Sequence, residues 1–333
     1  MTDTLRHSAG DCLPLPCPAE GPEQVHCFSA EEIDALNAAL AARRPLLVRG
    51  EPGVGKTQLA KAAALSLQRL YVEQVIDIRT EARDLLWHFD AVGRLADAQL
   101  RGALAGKSEV KPGVRDEEAS SELQRELAVD RYLHPRALWW AFDWAGAKAR
   151  AQALQLPSPE LLPGCDAANG AVVLIDEIDK AESDVPNGLL EALGAGAFTP
   201  QGMTEPIGIR GPAPLVIITT NEERTLPEAF LRRCLVLLLA LPADDSKLKD
   251  RLMQRGRAHF PNIHQDVLDT AAEQLIGDRK QAKAQNLRPL PGQAEYLDLV
   301  RALGELGTTP KQQQDLLKTL RPFILQKHRG TAV

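Results

Sequence analysis

Residues Gly50-Glu-Pro-Gly-Val-Gly-Lys-Thr57 decide the fold of this chain, because they match the pattern G-x-x-x-x-G-K-[ST] in full. They follow a short apolar run, Pro45-Leu-Leu-Val-Arg49, that predicts a buried strand. The Ala- and Leu-rich residues 59–70 beyond them predict a helix. Backbone N–H groups of such a glycine-rich turn, together with the helix N-terminus, attract anions. The sequence therefore predicts a phosphate-binding loop between a strand and a helix.

Two side chains of this loop have specific expected roles. Lys56 is expected to reach the β- and γ-phosphates of a nucleotide, and Thr57 is expected to bind Mg²⁺ through its hydroxyl. A glycine-rich turn that matches by chance is the competing interpretation, but it requires neither the strand before the loop nor the helix after it. The other candidate cofactor-binding residues of the loop are Gly50, Glu51, Pro52, Gly53, Val54, Gly55 and Gln58.

A second candidate site follows the apolar run Ala171-Val-Val-Leu-Ile175, which predicts a strand that leads into Asp176 and Glu177. Ligands of open α/β sheets bind at the carboxyl ends of the strands, where the phosphate loop also lies. Asp176 is therefore expected to hold Mg²⁺ through water beside the nucleotide, and Glu177 to orient or deprotonate the attacking water. On its own, such a pair after a strand is usually a helix N-cap. Its place after a phosphate loop favours the catalytic interpretation.

A third polar side chain, Asn221, ends the predicted strand that begins at Leu215. An amide at this position can bind the attacking water or the γ-phosphate, and so report which nucleotide is present. Turn chemistry is an equally good explanation, because asparagine is common where strands end.

The chain divides into segments of different composition. Strands predicted at residues 71–78, 171–175, 214–218 and 235–240 alternate with helical stretches, which favours a parallel sheet covered by helices. Beyond Pro242 only helices are predicted, and the net charge changes from −10 over residues 1–241 to +4 over residues 242–333. We therefore expect a Pro-rich flexible tail or wrapping arm at 1–24, an α/β domain at 25–241 and a helical domain at 242–333.

Charge and hydropathy exclude several classes of protein. The net charge of −6 disfavours whole-chain binding to nucleic acid, because such binders carry a positive surplus. The longest apolar run, Cys234 to Leu241, is far shorter than the roughly 20 residues that span a bilayer. No secretory signal is visible at the N-terminus, so a cytoplasmic protein is predicted.

The five cysteines are scattered, and their odd number favours free thiols over a disulfide framework. A zinc site built from Cys12, Cys17, His26 and Cys27 is the alternative, but no CxxC or HxxxH pair supports it. The other two cysteines are Cys165 and Cys234.

Taken in order, GEPGVGKT, VVLIDEIDK and TTNEERTLPEAFLRRC, followed by a helical tail, resemble an AAA+ ATPase, and within that class the MoxR branch and the dynein-related group. Residues 79–90 and 94–99 carry the same resemblance. It implies a three-layer α/β P-loop NTPase core with a parallel sheet, followed by a small all-helical lid. ATP and Mg²⁺ are the implied cofactors, and a homo-hexameric ring is the implied assembly.

The resemblance also implies roles for single residues. Asn221 becomes the sensor at the end of its strand, and Arg232 or Arg233 becomes an arginine finger for the neighbouring subunit. Without the family, paired arginines at a helix end are explained as a solvated cap near the negative end of the helix dipole. Arg288 is the only basic candidate for a second sensor and otherwise a surface arginine. Many MoxR-like sequences place an arginine later, where this chain has Gly292-Gln293.

Two further segments acquire an interpretation from the resemblance. Residues 82–168 correspond to an insertion within the second helix, and residues 198–209 to a hairpin that turns at Gln201-Gly202. The insertion contains Trp139, Trp140 and Trp144. The favoured explanation of the three tryptophans is that they pack the helix that carries them against the sheet. The alternative is that they form a surface for a partner.

Three functions remain open on the sequence alone. The resemblance favours a ring-shaped, chaperone-like remodeller of a protein partner, with a von Willebrand factor A-type protein as the expected partner. A nucleic-acid motor or GTPase is the second, and the charge of −10 over residues 1–241 argues against it. A nucleotide-binding signalling scaffold is the third, and Glu177 argues against it because a scaffold has no need of a catalytic base.

Overall fold

The computed structural model describes residues 4–16, 24–105, 125 and 127–326. Its strands are β1 Cys12–Leu15, β2 Gln24–Cys27, β3 Leu46–Arg49, β4 Leu70–Val75, β5 Trp87–Phe89, β6 Leu133–Pro135, β7 Ala171–Asp176, β8 Ala197–Phe198, β9 Ile207–Gly208, β10 Leu215–Thr220 and β11 Leu235–Leu238. Its helices are α1 Ala30–Ala42, α2 Lys56–Ser66, α3 Ala91–Ala105, α4 Ala137–Phe142, α5 Trp144–Ala153, α6 Asp184–Ala195, α7 Glu228–Leu231, α8 Asp245–His259, α9 Gln265–Ala284, α10 Gln293–Leu306 and α11 Pro310–Ile324.

A five-stranded parallel sheet in the order β11-β3-β10-β7-β4 forms the middle layer of the core. Successive residues of β7 point to opposite faces: Val172 and Leu174 pack with α1 and α2, whereas Val173 and Ile175 pack with α4, α5 and α6. Because both faces are covered, the strand is apolar throughout, as expected for a parallel sheet. The three-layer α/β fold class is therefore confirmed.

Local signals account for most element boundaries. The capping box that starts α1 is present, with Glu32 N donating to Ser29 Oγ at 3.3 Å and Ser29 N donating to Glu32 Oε2 at 2.6 Å. The expected hairpin is also present, since β8 pairs antiparallel with β9. The helix expected at 59–70 instead begins at Lys56 and ends at Ser66, because Leu70 already pairs with Ala171 in the sheet.

The N-terminal segment packs on the core over residues 4–16, as a wrapping arm and not as a free tail. Leu5 and Leu15 are buried in the cluster that covers one face of the sheet, and β1 pairs antiparallel with β2. A disulfide joins Cys12 to Cys27 across this pair. The expectation of free thiols is wrong for these two cysteines, because the strand register that joins them was not visible in the sequence.

The described residues of the range 82–168 add a small β-ribbon and the helices α3, α4 and α5 between β4 and β7. The sequence of residues 83–89 predicts a helical stretch, but this prediction is wrong beyond Leu85, because residues 87–89 form β5 and pair with β6. Trp139 and Trp140 are 1% and 5% exposed and belong to the core cluster, which agrees with the packing interpretation. Most of the acidic stretch 109–130 lies outside the described residues.

Over residues 242–326, the described C-terminal part of the chain, the regular elements are the helices α8 to α11, which we call the lid. They surround an apolar cluster of their own, which runs from Leu248 to Leu325. Leu241 is partly buried against both this cluster and the core. Among the helices of the described residues, none has the length and apolar character needed to cross a membrane.

Candidate nucleotide site

The phosphate loop connects β3 to α2, and its glycines allow an approach that other residues would block. A Cβ at Gly50 would lie 2.2 Å from the carbonyl oxygen of Leu239. Gly53 has φ +77°, and a Cβ there would lie 2.7 Å from the Cβ of Ala294 in the lid. Both the backbone conformation and the space therefore require glycine, and the loop stays narrow enough for its N–H groups to surround a phosphate.

Lys56 begins α2 and is 7% exposed. Its Nζ donates to the carbonyl oxygens of Gly50 at 2.7 Å and Glu51 at 3.1 Å, and to Oδ1 of Asn221 at 2.7 Å. Burial lowers the pKa of Lys56 below its ordinary value, and nearby carboxylates, Asp176 first among them, oppose this shift. The acidic surroundings thus help to keep the amine charged in a buried position.

Two oxygen donors suited to Mg²⁺ lie side by side at the start of α2 and the end of β7. The hydroxyl of Thr57 donates to Oδ2 of Asp176 at 3.1 Å. The other carboxylate oxygen, Oδ1, accepts from the hydroxyl of Thr219 in β10. Hydroxyl and carboxylate oxygens are the ligands that Mg²⁺ takes in nucleotide sites, so these residues fit that ion.

Glu177 leaves β7 with φ +61°, a left-handed conformation that costs a residue with a side chain roughly 1–2 kcal/mol. Its carboxylate is held on both sides, by Asn221 Nδ2 on Oε1 at 3.1 Å and by Lys180 Nζ on Oε2 at 2.5 Å. The backbone N–H of Glu177 donates to Thr219 Oγ1 at 3.0 Å. Strained conformations of this kind are common where a side chain is positioned for function.

The buried carboxylate of Asp179 fixes the loop that carries Asn221. Its Oδ2 accepts from the backbone N–H of Glu223 at 2.9 Å, and its Oδ1 accepts from that of Asn221 at 3.4 Å. Neither Asp179 nor Thr219 was chosen from the sequence. Asp179 lies two residues after Glu177 in the same acidic motif, which was the available signal.

A cavity of about 410 Å³ contains these groups and continues to the lid. Its lining includes Lys56, Thr57, Asp176, Glu177 and Asn221 on the core side. The expected binding residues Pro52, Gly53, Gly55 and Gln58 also line it. Sequence reasoning missed the part of the wall that comes from β2 and from the lid helices α8 and α10: Gln24, His259, Gln293, Ala294, Leu297, Asp298 and Arg301.

Gln293 is the first residue of α10 and is 2% exposed. Within the described part of the chain, its Oε1 has no hydrogen-bond partner. Its Nε2 would lie 3.9 Å from a Cβ placed on Gly55. Gln293, Leu297 and Arg301 repeat every four residues, so one face of α10 lines the cavity. This spacing was the signal that could have found them.

Arg288 does not line the cavity. Its side chain is 73% exposed, and its Nη1 lies 3.7 Å from Oε1 of Glu51. Buried Arg279 of α9 makes the firmer link between lid and phosphate loop, since its Nη2 donates to Oε2 of Glu51 at 2.7 Å. Its Nη1 donates to the carbonyl oxygen of Pro291 at 2.9 Å. The two arginines therefore differ in burial, which the sequence does not show.

Arg232 and Arg233 follow α7 and do not line the cavity of their own chain. Both are exposed. Arg232 lies 3.5 Å from Glu228 in an ion pair whose side chains are 81% and 87% exposed, so the pair is weak. No described residue bonds to the guanidinium of Arg233.

A parallel sheet, a glycine loop between a strand and a helix, a lysine at the start of that helix and acidic groups at the end of β7 in the same sheet define a P-loop nucleotide-binding protein. The sequence model of the AAA domain, dynein-related subfamily, matches residues 45–255. The chain therefore belongs to this family of AAA+ proteins.

Solved structures of RuvB from Thermotoga maritima also match the chain. The structure titled as the Holliday junction branch migration motor has 15% identity and a TM-score of 0.43, over 87% of this chain and 67% of that one. A proline-to-glycine mutant has 14% identity and a TM-score of 0.46, over 87% and 68%. Likenesses this distant carry no argument about activity. A search of curated protein sequences found no match.

Proposed function

We propose that the protein is a Mg²⁺-dependent ATPase whose catalytic sites are shared between the subunits of a ring. The observation that carries this proposal is the meeting of Lys56, Asp176, Glu177 and Asn221 around one cavity. These groups come from α2, the end of β7 and the end of β10, so chance sequence patterns do not explain their convergence.

Each group then has a defined task in hydrolysis. Lys56 binds the β- and γ-phosphates, while Thr57 and Asp176 would hold Mg²⁺, which would neutralise charge on the phosphate oxygens. Glu177 orients the attacking water and accepts its proton. Asn221 contacts both Lys56 and Glu177, so one amide links phosphate binding to the position of the base.

The lid completes the nucleotide site in this proposal. Gln293 and Arg301 face the cavity, whereas exposed Arg288 does not. ATP is favoured over GTP by the family resemblance alone. Arg232 or Arg233 serves the neighbouring subunit, because both arginines are exposed and lie outside the cavity of their own chain.

A protein is the proposed target of the ring, and a von Willebrand factor A-type protein is the proposed partner. The support is the resemblance of the chain's motifs to the MoxR branch, whose members act as chaperone-like remodellers. The net charge of −10 over residues 1–241 also disfavours binding to and movement along the phosphate backbone of a nucleic acid.

Steady-state ATP hydrolysis by two variants tests the proposed chemistry. Lys56→Ala should lose nucleotide binding, because the phosphates lose their buried cation. Glu177→Gln should bind ATP normally and lose about 10²-fold or more in turnover, since only the base is removed. Lys61→Ala in the same helix and Glu182→Gln on the surface are matched controls. An undiminished rate in Glu177→Gln would overturn the mechanism.

The same assay separates protein remodelling from action on nucleic acid. Duplex DNA should leave the ATPase rate unchanged, whereas the cognate partner protein should change it. A severalfold stimulation by DNA that falls steeply with added salt would contradict the proposed target.

A further inference from the structure

The segment that carries Arg232 and Arg233 is fastened to the end of α1 by the side chain of Arg44. Its Nε donates to the carbonyl oxygen of Arg233 at 3.1 Å, and its Nη2 donates to that of Arg232. Just beyond, the backbone N–H of Leu235 donates to the carbonyl oxygen of Pro45 at 2.9 Å. Three hydrogen bonds therefore hold the connection between α7 and β11 against residues 44–45.

These bonds restrict the direction in which the two arginines project. A peptide unit is planar, so fixing two successive carbonyls restricts the backbone on either side of each Cα. With both carbonyls turned toward Arg44, the side chains of Arg232 and Arg233 extend into solvent. α7 has only four residues, so it supplies little rigidity of its own.

We propose that Arg44 is a positioning residue for the arginine finger, acting through the backbone of Arg232 and Arg233. This inference rests on the proposed function, since it requires a finger delivered to a neighbouring subunit. The planar guanidinium suits the task because its Nε and Nη2 donate in parallel to two acceptors. A lysine carries the same charge but has no such fork.

Arg43 provides a matched control within the same turn. It is exposed, carries the same charge, and among the described residues its side chain makes no hydrogen bond or ion pair with the 232–233 segment. Both arginines border the same surface groove, whose other walls include Pro214 and Ile209. A difference between substitutions at Arg43 and Arg44 therefore reports the two hydrogen bonds and not the loss of a positive charge.

The first measurement compares Arg44→Gln, Arg44→Lys and Arg43→Gln in the full chain. Arg44→Gln should lower kcat about 10- to 100-fold, as expected when a catalytic group is displaced by about 1 Å. Its nucleotide Kd should stay unchanged, because the phosphate loop is intact. Arg44→Lys should fall between Arg44→Gln and wild type, and Arg43→Gln should match wild type. A normal kcat in Arg44→Gln would overturn the inference.

A mixing experiment separates positioning of the finger from a general structural role. In rings of Arg44→Gln with Lys56→Ala, the intact phosphate loop of the first meets correctly held arginines of the second, so activity should return. In rings of Arg44→Gln with the double variant Arg232→Ala, Arg233→Ala, no subunit delivers a finger and activity should stay low. If ATPase activity does not return in the first mixture, Arg44 acts on the site of its own chain and the inference fails.

A parallel mixture keeps this failure distinct from failure of the proposed function. The double variant Arg232→Ala, Arg233→Ala mixed with Lys56→Ala tests the shared site without involving Arg44. If that mixture recovers while the Arg44→Gln mixture does not, the shared site stands and only the role of Arg44 is wrong. If mixed rings form and neither recovers, both proposals are wrong.

Discussion

At the scale of single residues, Asn221 shows why the site needs an amide at the end of β10. Its Oδ1 accepts a hydrogen bond from Lys56, and its Nδ2 donates one to Glu177. An aspartate cannot donate and an aliphatic residue can do neither, whereas the amide accepts from the cation and donates to the carboxylate. In the proposed mechanism, Asn221 therefore couples the group that binds phosphate to the group that activates water.

His26 allows a prediction about acid stability at the same scale. It is 1% exposed, and burial, followed by the charges of Arg255 and Arg251, lowers its pKa from 6.5 to about 3. Below pH 6.5, His26 is protonated in the unfolded chain but stays neutral in the folded chain. The contribution of His26 is therefore fully present above pH 6.5 and is lost as the pH falls toward 3.

The free energy of unfolding in urea, measured at pH 7.5 and at pH 5, checks this sign. Because protonation is linked to folding, His26 alone should lower the free energy of unfolding of wild type by about 2 kcal/mol over this interval. His26→Gln should lose less stability than wild type over the same interval, whatever its stability at pH 7.5. Exposed His88, replaced by Gln, is the control. An equal loss in wild type and His26→Gln would contradict the burial argument.

At the scale of elements, α4 is held to the core by Trp139. This ring is 1% exposed and packs edge-on against Phe198 with centroids 6.0 Å apart. The guanidinium carbon of Arg150 lies over the ring, 5.3 Å from its centroid. Trp144 in α5 is more accessible, and its ring centroid lies 5.2 Å from that of Trp140. The tryptophans therefore differ in what their removal should do.

Trp139→Ala should lower the free energy of unfolding by about 3–5 kcal/mol, the usual cost of deleting a buried large aromatic. Trp144→Ala should cost clearly less, because part of its surface is already in water. Chemical denaturation of both variants tests the difference. Unchanged stability in Trp139→Ala, together with weakened binding of a partner protein, would instead support a contact surface.

Local sequence signals were sufficient for elements whose ends are marked by particular residues. The Ser29–Glu32 capping box marks the start of α1, and the apolar run before Asp176 ends where the strand β7 ends. The residues around β5 were read as helix, because a three-residue strand is stabilised by its distant partner β6 and has no period of its own. The disulfide between Cys12 and Cys27 depends in the same way on long-range pairing.

The residues of the candidate site also divide into those that have a local sequence signal and those whose position depends on distant parts of the chain. Lys56, Asp176 and Glu177 could be chosen from the sequence, because phosphate and metal chemistry require those residue types next to strand ends. Gln293 and Arg279 could not, since their roles depend on burial against the core from a domain more than 200 residues away along the chain. Arg288 was chosen because it is the only basic residue in the stretch 286–299, where the resemblance places a second sensor, whereas the burial of Arg279 is not visible in a sequence.

At the scale of the whole molecule, the cavity contains every proposed catalytic group except the finger. Arg232 and Arg233 are exposed and project from a short helix that lies outside the cavity lining. An arginine delivered to the transferring phosphoryl group supplies about 10³–10⁵ in rate in related chemistry. Activity per chain should therefore rise with protein concentration as rings form.

The most direct test of the shared catalytic site mixes two inactive variants, Lys56→Ala and the double variant Arg232→Ala, Arg233→Ala. At a mixed interface, the intact phosphate loop of the arginine variant meets the intact arginines of the Lys56 variant. ATPase activity should therefore reappear in the mixture, while each variant alone stays inactive and forms rings on size-exclusion chromatography. A mixture that stays inactive although mixed rings form, or an arginine variant that is fully active alone, would contradict the account.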